Sequence, residues 1–384
     1  MSSIAKYLKQ KGDNVIGYDQ RKSYVTNLLN QDGIKVVHTL DEIIYTPESL
    51  YIYSSAIPIE SENFQDFYDK ENVLSRPDYL KILSEDHKII GITGTHGKTS
   101  TTALLSHIFH FNNLNVSYLY GGITTFNGIG GHYGDADKPL ILETDEAFNT
   151  FEKINISDLL VLNIDSDHLD YFKNLDNYKT AFYKVMKNVT DNLVVNNDDL
   201  NIKSMKELKN LVSYGTDISA DFKVQSSGIF IYENNKYEIK TDIIGDHFKS
   251  NMVGAIILAL LNGIEISDSL NAIESFAGVK RRIELIGISK GVSIYDDYGH
   301  HPTEMEATIT ALKEQTKSKL YVVFQPHRYT RTKEYFNSFK DSLKLADYAI
   351  VTDIYPAGES PIPGLSSKNF EEESIKYLKS IRYV

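Results

Sequence analysis

The sequence predicts an α/β protein whose parallel sheets are divided among three domains. Two features of the chain predict this class. Short apolar runs alternate with helical patterns along most of its length, which is typical of βαβ units. A chain of 384 residues is also longer than a single hydrophobic core usually serves, so we expect these units to fall into more than one domain.

The first domain is predicted to span residues 1–87. Its strands alternate with polar helical stretches, and the predicted strands are Asn14–Gly17, Lys35–His38 and Leu50–Tyr53. Asp19 and Ser54 follow two of these strands. Because open parallel sheets bind ligands at the carboxyl ends of their strands, both residues are candidate ligand contacts. The alternative is that both are ordinary turn residues.

The second domain is predicted to span residues 88–284. It opens with the apolar strand Lys88–Thr93, and further strands are predicted at Pro139–Leu142 and Leu159–Ile164. A β-rich stretch with turn signals covers Phe222–Ile244. The apolar run Asn251–Asn262 is long enough to predict a buried helix.

The third domain is predicted to span residues 285–384. Its predicted strands are Val292–Tyr295, Leu320–Phe324, Tyr348–Val351 and Ile381–Val384, with a helical pattern at Asn369–Ser380. A doubly wound domain usually has more strands than these, so we expect an incomplete sheet whose open edge is prone to pair with another chain.

Composition narrows the class of function. The chain has 40 Lys and Arg against 52 Asp and Glu, a net charge of −12, and no basic run that would serve a nucleic-acid binder. It has no cysteine, which excludes disulfides, thiolate metal sites and a cysteine nucleophile. No apolar run is long enough for a membrane span or a signal peptide. We expect a soluble cytoplasmic protein, monomeric or homodimeric, that acts on small molecules.

The strongest motif is GITGTHGKTS at residues 91–100, where a strand leads through a glycine loop into a helix. Backbone N–H groups of such a loop bind phosphate, Lys98 is expected to reach the β- and γ-phosphates, and Thr99 to ligate Mg²⁺. Ile92 stands where the strict pattern has glycine, so this is a variant P-loop. We expect Lys98 on an exposed loop. The candidate nucleotide-binding residues are Gly94, Thr95, His96, Gly97, Lys98, Thr99 and Ser100.

Two further strand ends carry candidate magnesium ligands. Glu143 ends the run Pro-Leu-Ile-Leu, and His168 lies in NIDSDHLD after another apolar strand. A carboxylate beside a P-loop is well placed to hold the nucleotide's Mg²⁺. The alternatives are a solvated loop carboxylate for Glu143 and a hydrogen-bonded structural histidine for His168.

Two arginine pairs could bind anions. Arg281 and Arg282 lie near the second domain boundary and could neutralise charge on a transferred phosphoryl group. Arg328 and Arg331 are three residues apart and, on a helical turn, would face one way and suit a small carboxylate. The alternative for both pairs is a solvated polar surface.

Six segments, taken in order, resemble the Mur ligase family: GTHGKTSTT, ETDE, NIDSDHLDYF, DDYGHHPTE, FQPHRYTRT and DIYPAGESPIPG. The resemblance runs from Met1 to about Phe370. It implies a Rossmann-like N-terminal domain that binds a UDP-sugar, a central ATP-binding P-loop domain and a Rossmann-like C-terminal domain that binds an amino acid. It also implies an ATP-dependent ligase that joins L-alanine to the lactyl carboxylate of UDP-N-acetylmuramate through an acyl phosphate, in peptidoglycan precursor synthesis.

The resemblance assigns a role to each candidate residue. It implies a catalytic role for Lys98, Glu143, His168, Arg281 and Arg282, with Mg²⁺ held by Thr99, Glu143 and His168. It implies nucleotide contacts for Asn251 and Asp297, and UDP-sugar contacts for Asp19 and Ser54. For the incoming amino acid it implies His300, Arg328 and Arg331.

The chain departs from the family pattern in four places. It begins at the Met of the family's G-x-G-G-x-G-M-S loop, and it lacks the last strands of the third domain. Ala147 and Phe248 replace a Ser and an Asn of family motifs, and Tyr183 stands where several members carry a carbamylated lysine. We therefore expect a ligase truncated at both ends, with weakened UDP binding.

Three other functions are alternatives to this ligase activity. A recycling ligase that adds a preformed tripeptide to the same sugar nucleotide would carry a different segment in place of FQPHRYTRT. An ATP-binding remnant without ligase activity would follow from the missing ends. A nicotinamide dehydrogenase needs a G-x-G-x-x-G loop, which this chain does not contain.

Overall fold

The computed structural model describes residues 1–54, 57, 67, 70–167, 169–225, 228–374 and 381–383. The chain forms two compact units, Met1–Asp242 with Lys249–Val279, and Ile243–Phe248 with Lys280–Val384. The first unit contains the predicted first domain and most of the predicted second. The predicted boundaries near residues 87 and 284 stay predictions.

The N-terminal part of the first unit carries two small parallel sheets. One pairs β1 (Ile16–Tyr18) with β2 (Lys35–Val37), and the other pairs β3 (Tyr51–Tyr53) with β4 (Val73–Ser75). The three strands predicted here are confirmed. The helices are α1 (Ser2–Lys11), α2 (Tyr24–Gln31) and α3 (Arg76–Asp86), with a 3-10 turn at Leu40–Glu42.

Helix α1 was not predicted from the sequence, and it joins the first sheet to the rest of the unit. Ile4 and Tyr7 are buried in the same cluster as residues of the central sheet. Lys6 donates hydrogen bonds to the carbonyls of Asn127 and Ile129 and is itself buried. Burial raises the pKa of Tyr7 to about 12. The N-terminal segment and the central sheet therefore share one core.

A ten-stranded mixed sheet forms the centre of the first unit. Its order is β14-β13-β12-β11-β10-β9-β5-β8-β6-β7, parallel except at the pairs β12/β13, β13/β14 and β6/β7. The strands are β5 (Ile89–Thr93), β6 (Ser117–Thr124), β7 (Gly128–His132), β8 (Leu140–Glu143), β9 (Asp158–Val161), β10 (Asn192–Asn196), β11 (Leu211–Gly215), β12 (Phe222–Val224), β13 (Ile229–Tyr232) and β14 (Asn235–Glu238).

Helices pack around the ten-stranded sheet. They are α4 (Lys98–Phe111), α5 (Leu169–Phe172), α6 (Leu175–Lys187), α7 (Leu200–Lys203), α8 (Asp246–Leu261) and α9 (Ile266–Glu274), with a 3-10 helix at Ala147–Lys153. Every residue of β5 is buried, and α8 is buried from Asn251 to Ala259. The predicted buried helix is therefore confirmed.

The second unit contains an antiparallel hairpin and a three-stranded parallel sheet. The hairpin is β15 (Glu284–Ser289) with β16 (Val292–Asp296); the sheet is β17 (Tyr321–Phe324), β18 (Tyr348–Val351) and β19 (Ile381–Tyr383). The helices are α10 (Pro302–Gln315), α11 (Tyr329–Glu334), α12 (Phe336–Leu343) and α13 (Ser367–Ser374). The core of this unit includes Met305, Ile309, Phe324, Phe339, Leu343 and Val351.

In the part of the chain that the structure describes, no helix is both long enough and apolar enough to cross a lipid bilayer.

A buried carboxylate at the amino end of β9 provides a test of the central sheet. The wholly buried side chain of Asp158 lies 3.0 Å from Lys88 Nζ and accepts hydrogen bonds from the side chains of Asn192 and Asn262. Asp191, whose side chain is 46% exposed, lies 3.2 Å from the same Lys88 atom.

Asp158→Ala should therefore lower the free energy of unfolding by about 2 kcal/mol or more, because it removes the acceptor of two amide hydrogen bonds and the buried partner of Lys88. Asp191→Ala should cost less than about 1 kcal/mol, as exposed ion pairs do. Urea unfolding followed by tyrosine fluorescence measures both, since the chain has 26 Tyr and no Trp. Equal losses in the two variants would contradict this account of the sheet.

Candidate active site

Three neighbouring strands of the central sheet end at one edge and carry the candidate site. β5 pairs in parallel with β8 on one side and β9 on the other, with Ile92 opposite Glu143 and Thr93 opposite Val161. The P-loop, the ETDE segment and the NIDSD segment therefore leave the sheet side by side. The sequence predicted that these motifs belong to one site, and the structure brings them together.

The main chain of the P-loop is held by Asn163. Its side chain accepts a hydrogen bond from the His96 N–H at 2.8 Å and donates one to the His96 carbonyl at 3.0 Å. Its own carbonyl accepts from the Thr95 N–H at 3.1 Å. Gly94 has a φ of +140°, and a Cβ there would lie 3.0 Å from the Asn163 nitrogen. The loop is thus tied to the end of β9.

Gly97 caps the N-terminus of α4 in a left-handed conformation, with φ +85°. A Cβ on this residue would lie 2.5 Å from the Nδ2 of Asn251, which is on α8 and 8% exposed. Asn251, a candidate nucleotide contact, therefore lies directly against the P-loop. The amino end of α4 presents free N–H groups and the positive end of the helix dipole, which favour a bound phosphate. Ser100 is partly exposed on the first turn of this helix.

Thr99 and Glu143 meet at the start of α4. The Thr99 hydroxyl donates to Glu143 Oε1 at 2.8 Å, and the Gly121 N–H donates to Glu143 Oε2 at 2.6 Å. A hydroxyl and a carboxylate oxygen in contact are the hard donors that Mg²⁺ prefers, so these two residues fit the predicted magnesium site. His168, the third predicted ligand, lies outside the described residues.

Lys98 does not lie on an exposed loop, and that expectation was wrong. Its side chain is only 13% exposed, and its Nζ lies 2.9 Å from each carboxylate oxygen of Glu146. Nζ also donates to the carbonyls of Gly94 at 2.6 Å and Thr95 at 3.1 Å. Burial alone would lower the pKa of Lys98, but the nearby carboxylates, Glu146 foremost, outweigh it and raise that pKa.

Sequence reasoning missed Glu146 and Tyr178. Glu146 is 1% exposed and Tyr178 fully buried, and the Tyr178 hydroxyl lies 3.3 Å from Glu146 Oε1 and 3.0 Å from the Thr95 hydroxyl. Burial raises the pKa of Tyr178. Glu146 belongs to the ETDE segment, whose three acids also suggested a solvated loop. Nothing in the local sequence marks Tyr178, which reaches the loop from α6. Tyr183, on the same helix, donates instead to the Lys206 carbonyl.

His96 is paired within the same unit. Its Nε2 lies 3.1 Å from Asp165 Oδ2, and the Asp165 N–H donates to the Thr95 hydroxyl at 2.8 Å. The NIDSD segment therefore contacts both the main chain and a side chain of the P-loop.

The candidate residues of the second unit follow β16. Asp297 accepts hydrogen bonds from the N–H groups of Ile283 and Gly299, and its burial raises its pKa. The His300 N–H donates to Glu304 at 3.0 Å, and the His300 ring lies 6.2 Å from that of His327, centre to centre. Asp297 thus shapes the turn that carries His300.

The two arginines after β17 do not share a helical face, which corrects the sequence prediction. Arg328 precedes α11 with φ +71°, and its Nε lies 2.6 Å from Glu359 Oε1. Burial alone would raise the pKa of Glu359, but hydrogen bonds from Thr330 and the Arg328 guanidinium outweigh it and lower that pKa. Arg331 lies within α11 and is 8% exposed.

The other arginine pair stacks on one ring. The guanidinium of Arg281 lies 4.8 Å from the ring centre of Tyr298, and that of Arg282 lies 5.6 Å from it. Arg281 also pairs with Asp296 at 3.3 Å, and Arg282 lies 4.0 Å from Glu304. Both side chains are thereby held at the start of the second unit.

The two predicted UDP-sugar residues follow strands of different small sheets. Asp19 follows β1 and accepts a hydrogen bond from the Arg21 N–H at 2.9 Å, while Ser54 follows β3. Both are turn residues at the carboxyl ends of strands, so the ligand-binding and turn interpretations both remain consistent with the structure.

Comparison with known proteins gives the class of protein. Residues 1–86 match the Mur ligase family catalytic domain, residues 92–259 the Mur ligase middle domain and residues 281–382 the Mur ligase glutamate ligase domain. The chain belongs to the Mur ligase family. It has the three-domain α/β architecture of that family, as the sequence predicted.

Similar proteins include two that are named UDP-N-acetylmuramate–alanine ligases. The UDP-N-acetylmuramate–L-alanine ligase of Caldicellulosiruptor saccharolyticus is 35% identical over 403 residues, covering 100% of this chain and 88% of that protein. The crystal structure of the UDP-N-acetylmuramate-alanine ligase of Thermotoga maritima matches with a TM-score of 0.82 and 25% identity, covering 100% of this chain and 87% of that one. A murein peptide ligase from Psychrobacter arcticus matches with a TM-score of 0.71 and 20% identity, covering 100% and 88%, and shows the fold alone.

Because Asn251 lies so close to Gly97, a side chain at residue 97 should clash with it, whereas a side chain at Gly263 should not. Gly263 has nearly the same φ, +87°, but a Cβ there would meet nothing within 4 Å. Gly263→Ala should therefore cost only the strain of the left-handed conformation, about 1 kcal/mol. Gly97→Ala should cost more than that and also weaken ATP binding, because the loop must move away from Asn251.

Thermal unfolding and ATP titration of both variants test this prediction. Adding Asn251→Ala to Gly97→Ala should recover part of the lost stability, since it removes the clashing amide. Equal stability losses at the two glycines would contradict the proposed packing of the loop.

Proposed function

We propose that this protein is an ATP-dependent ligase that joins L-alanine to the lactyl carboxylate of UDP-N-acetylmuramate in peptidoglycan precursor synthesis. The observation that carries the proposal is the 35% identity, across the whole chain, to a protein that carries this activity in its name. The P-loop and its carboxylates support it, because they form one site at the ends of β5, β8 and β9. ATP and nucleotide sugars are cytoplasmic metabolites, so we place the reaction in the cytoplasm.

The chemistry proceeds in two steps. The lactyl carboxylate attacks the γ-phosphorus of ATP, which gives an acyl phosphate and ADP. The amine of L-alanine then attacks the acyl carbon, and a tetrahedral intermediate collapses to the amide and inorganic phosphate. Phosphoryl transfer of this kind depends on positioning and on charge neutralisation, and it needs little covalent chemistry from the protein.

The P-loop binds the triphosphate in this proposal. The N–H groups at the start of α4 contact phosphate oxygens, and Lys98 neutralises charge on the β- and γ-phosphates. Thr99, Glu143 and His168 would hold Mg²⁺, which would supply positive charge to neutralise the phosphate oxygens. Asn251 and Asp297 contact the nucleoside, Asn251 from its position against Gly97. Arg281 or Arg282 adds positive charge at the γ-phosphate.

The remaining candidate residues bind the other two substrates. His300, Arg328 and Arg331 contact the amine and carboxylate of L-alanine, which suits the guanidinium groups because carboxylates bind them in a bidentate manner. Asp19 and Ser54 contact the uridine nucleotide at the carboxyl ends of β1 and β3.

The decisive assay measures ADP release from ATP, Mg²⁺ and UDP-N-acetylmuramate, with and without L-alanine. We expect ADP release to require both the sugar nucleotide and L-alanine, with one amide formed per ADP. Release that requires a preformed cell-wall tripeptide instead would favour a recycling ligase. ATP binding without any turnover that depends on an amino acid would contradict ligase activity.

The contact between Thr99 and Glu143 predicts a specific metal phenotype. Glu143→Gln should raise the Mg²⁺ concentration for half-maximal turnover by about tenfold or more, because it removes the charged ligand. Glu152→Gln is the matched control, since it removes the same charge from a carboxylate that pairs with Lys184 at 3.8 Å. A Mg²⁺ requirement that Glu143→Gln leaves unchanged would remove Glu143 from the metal site.

A further inference from the structure

The ammonium of Lys98 has three N–H groups, and the structure supplies three sets of acceptors for them. These are the Gly94 carbonyl at 2.6 Å, the Thr95 carbonyl at 3.1 Å and the Glu146 carboxylate at 2.9 Å. An ammonium has no further donor, so Lys98 cannot bind a phosphate oxygen while all three contacts persist. At least one of them must be broken when a triphosphate enters the loop.

The Glu146 contact is the strongest of the three. It joins two charges, both oxygens of the carboxylate lie 2.9 Å from Nζ, and Glu146 is 1% exposed. Charge-assisted hydrogen bonds are about twice as strong as neutral ones, and separating a buried carboxylate from its cation is strongly unfavourable. Glu146 therefore opposes the movement of Lys98 toward a phosphate.

Glu146 is also fixed in place and cannot follow Lys98. The Tyr178 hydroxyl lies 3.3 Å from its Oε1, and its own carbonyl accepts from the Asn149 N–H at 2.9 Å. The 3-10 helix that begins at the next residue buries Phe151 completely in the core of the unit. The carboxylate is thus held by a packed core, whereas the lysine is on a flexible side chain.

We propose that Glu146 is a positioning residue that holds Lys98 against the main chain of the P-loop, so that ATP binding must break the Lys98–Glu146 pair. This inference rests on the proposed assignment of the loop as the ATP site. The pair reduces the affinity of the loop for ATP, because separating Lys98 from Glu146 offsets part of the free energy of binding. Tyr178 supports Glu146 through the contact of its hydroxyl with Glu146 Oε1 at 3.3 Å.

The test is a double-mutant cycle on the dissociation constant of ATP. Isothermal titration with Mg²⁺ and a non-hydrolysable ATP analogue is performed on the wild type, Glu146→Gln, Lys98→Met and the double variant. We expect Glu146→Gln to bind the analogue about tenfold more tightly than the wild type, the equivalent of one charge-assisted hydrogen bond. In the Lys98→Met background the same change should leave the affinity unaltered, because the effect acts through Lys98.

Two further variants serve as controls for the loss of charge and for a failure of Glu146→Gln to fold. Glu152→Gln removes the same charge from the adjacent 3-10 helix and should not change the affinity. Glu146→Asp keeps the charge but shortens its reach, so it should tighten binding less than Glu146→Gln does, and it provides the same test if the amide variant does not fold.

The outcomes of the double-mutant cycle separate this proposal from direct repulsion between Glu146 and the phosphates and from a wrong assignment of the loop. Unchanged or weaker binding by Glu146→Gln overturns the proposal, and so does equal tightening in both backgrounds, which would indicate direct repulsion between Glu146 and the phosphates. A wild-type chain that binds no analogue, or whose affinity Lys98→Met does not alter, overturns the assignment of the loop itself and this inference with it.

Discussion

The parallel pairing of β5 with both β8 and β9 is the constraint on which the candidate site depends. β5 is buried at every residue, so its register against its neighbours is fixed by packing on both faces. That register sets where the P-loop begins, and it brings Glu143 and Asn163 to the same edge of the sheet. Neither residue needs to be close to the loop in sequence, because the sheet supplies the proximity.

A network of polar contacts then fixes the conformation of the P-loop. Asn163 binds the main chain of the loop, Asp165 binds its imidazole, and Tyr178 binds the Thr95 hydroxyl. Buried polar groups that are fully paired are stiff, since any departure leaves a donor or acceptor without a partner. These contacts hold the main chain of the P-loop, whereas Lys98 reaches Glu146 through a long, flexible side chain.

The sequence was sufficient for β5, β8 and β9 and for the P-loop, because each depends on a local pattern or on the general geometry of parallel sheets. It did not predict the strands β4, β6, β7, β10, β11 and β15. It was insufficient for α1, whose pattern is largely polar although Ile4 and Tyr7 are buried. It was insufficient for Glu146 and Tyr178, because their role depends on contacts across 32 residues of chain. The pairing of Arg328 with Glu359 spans 31 residues and could not be read from local spacing either.

The hydrogen bonds between Asn163 and His96 are made to main-chain atoms and not to the imidazole. A different side chain at residue 96 would therefore leave these two hydrogen bonds intact. An insertion or deletion in the loop would break both hydrogen bonds, because it would move the His96 N–H and carbonyl away from the Asn163 side chain. These hydrogen bonds thus constrain the length of the loop more than the identity of residue 96, whereas at Gly94 and Gly97 a Cβ would collide with neighbouring atoms.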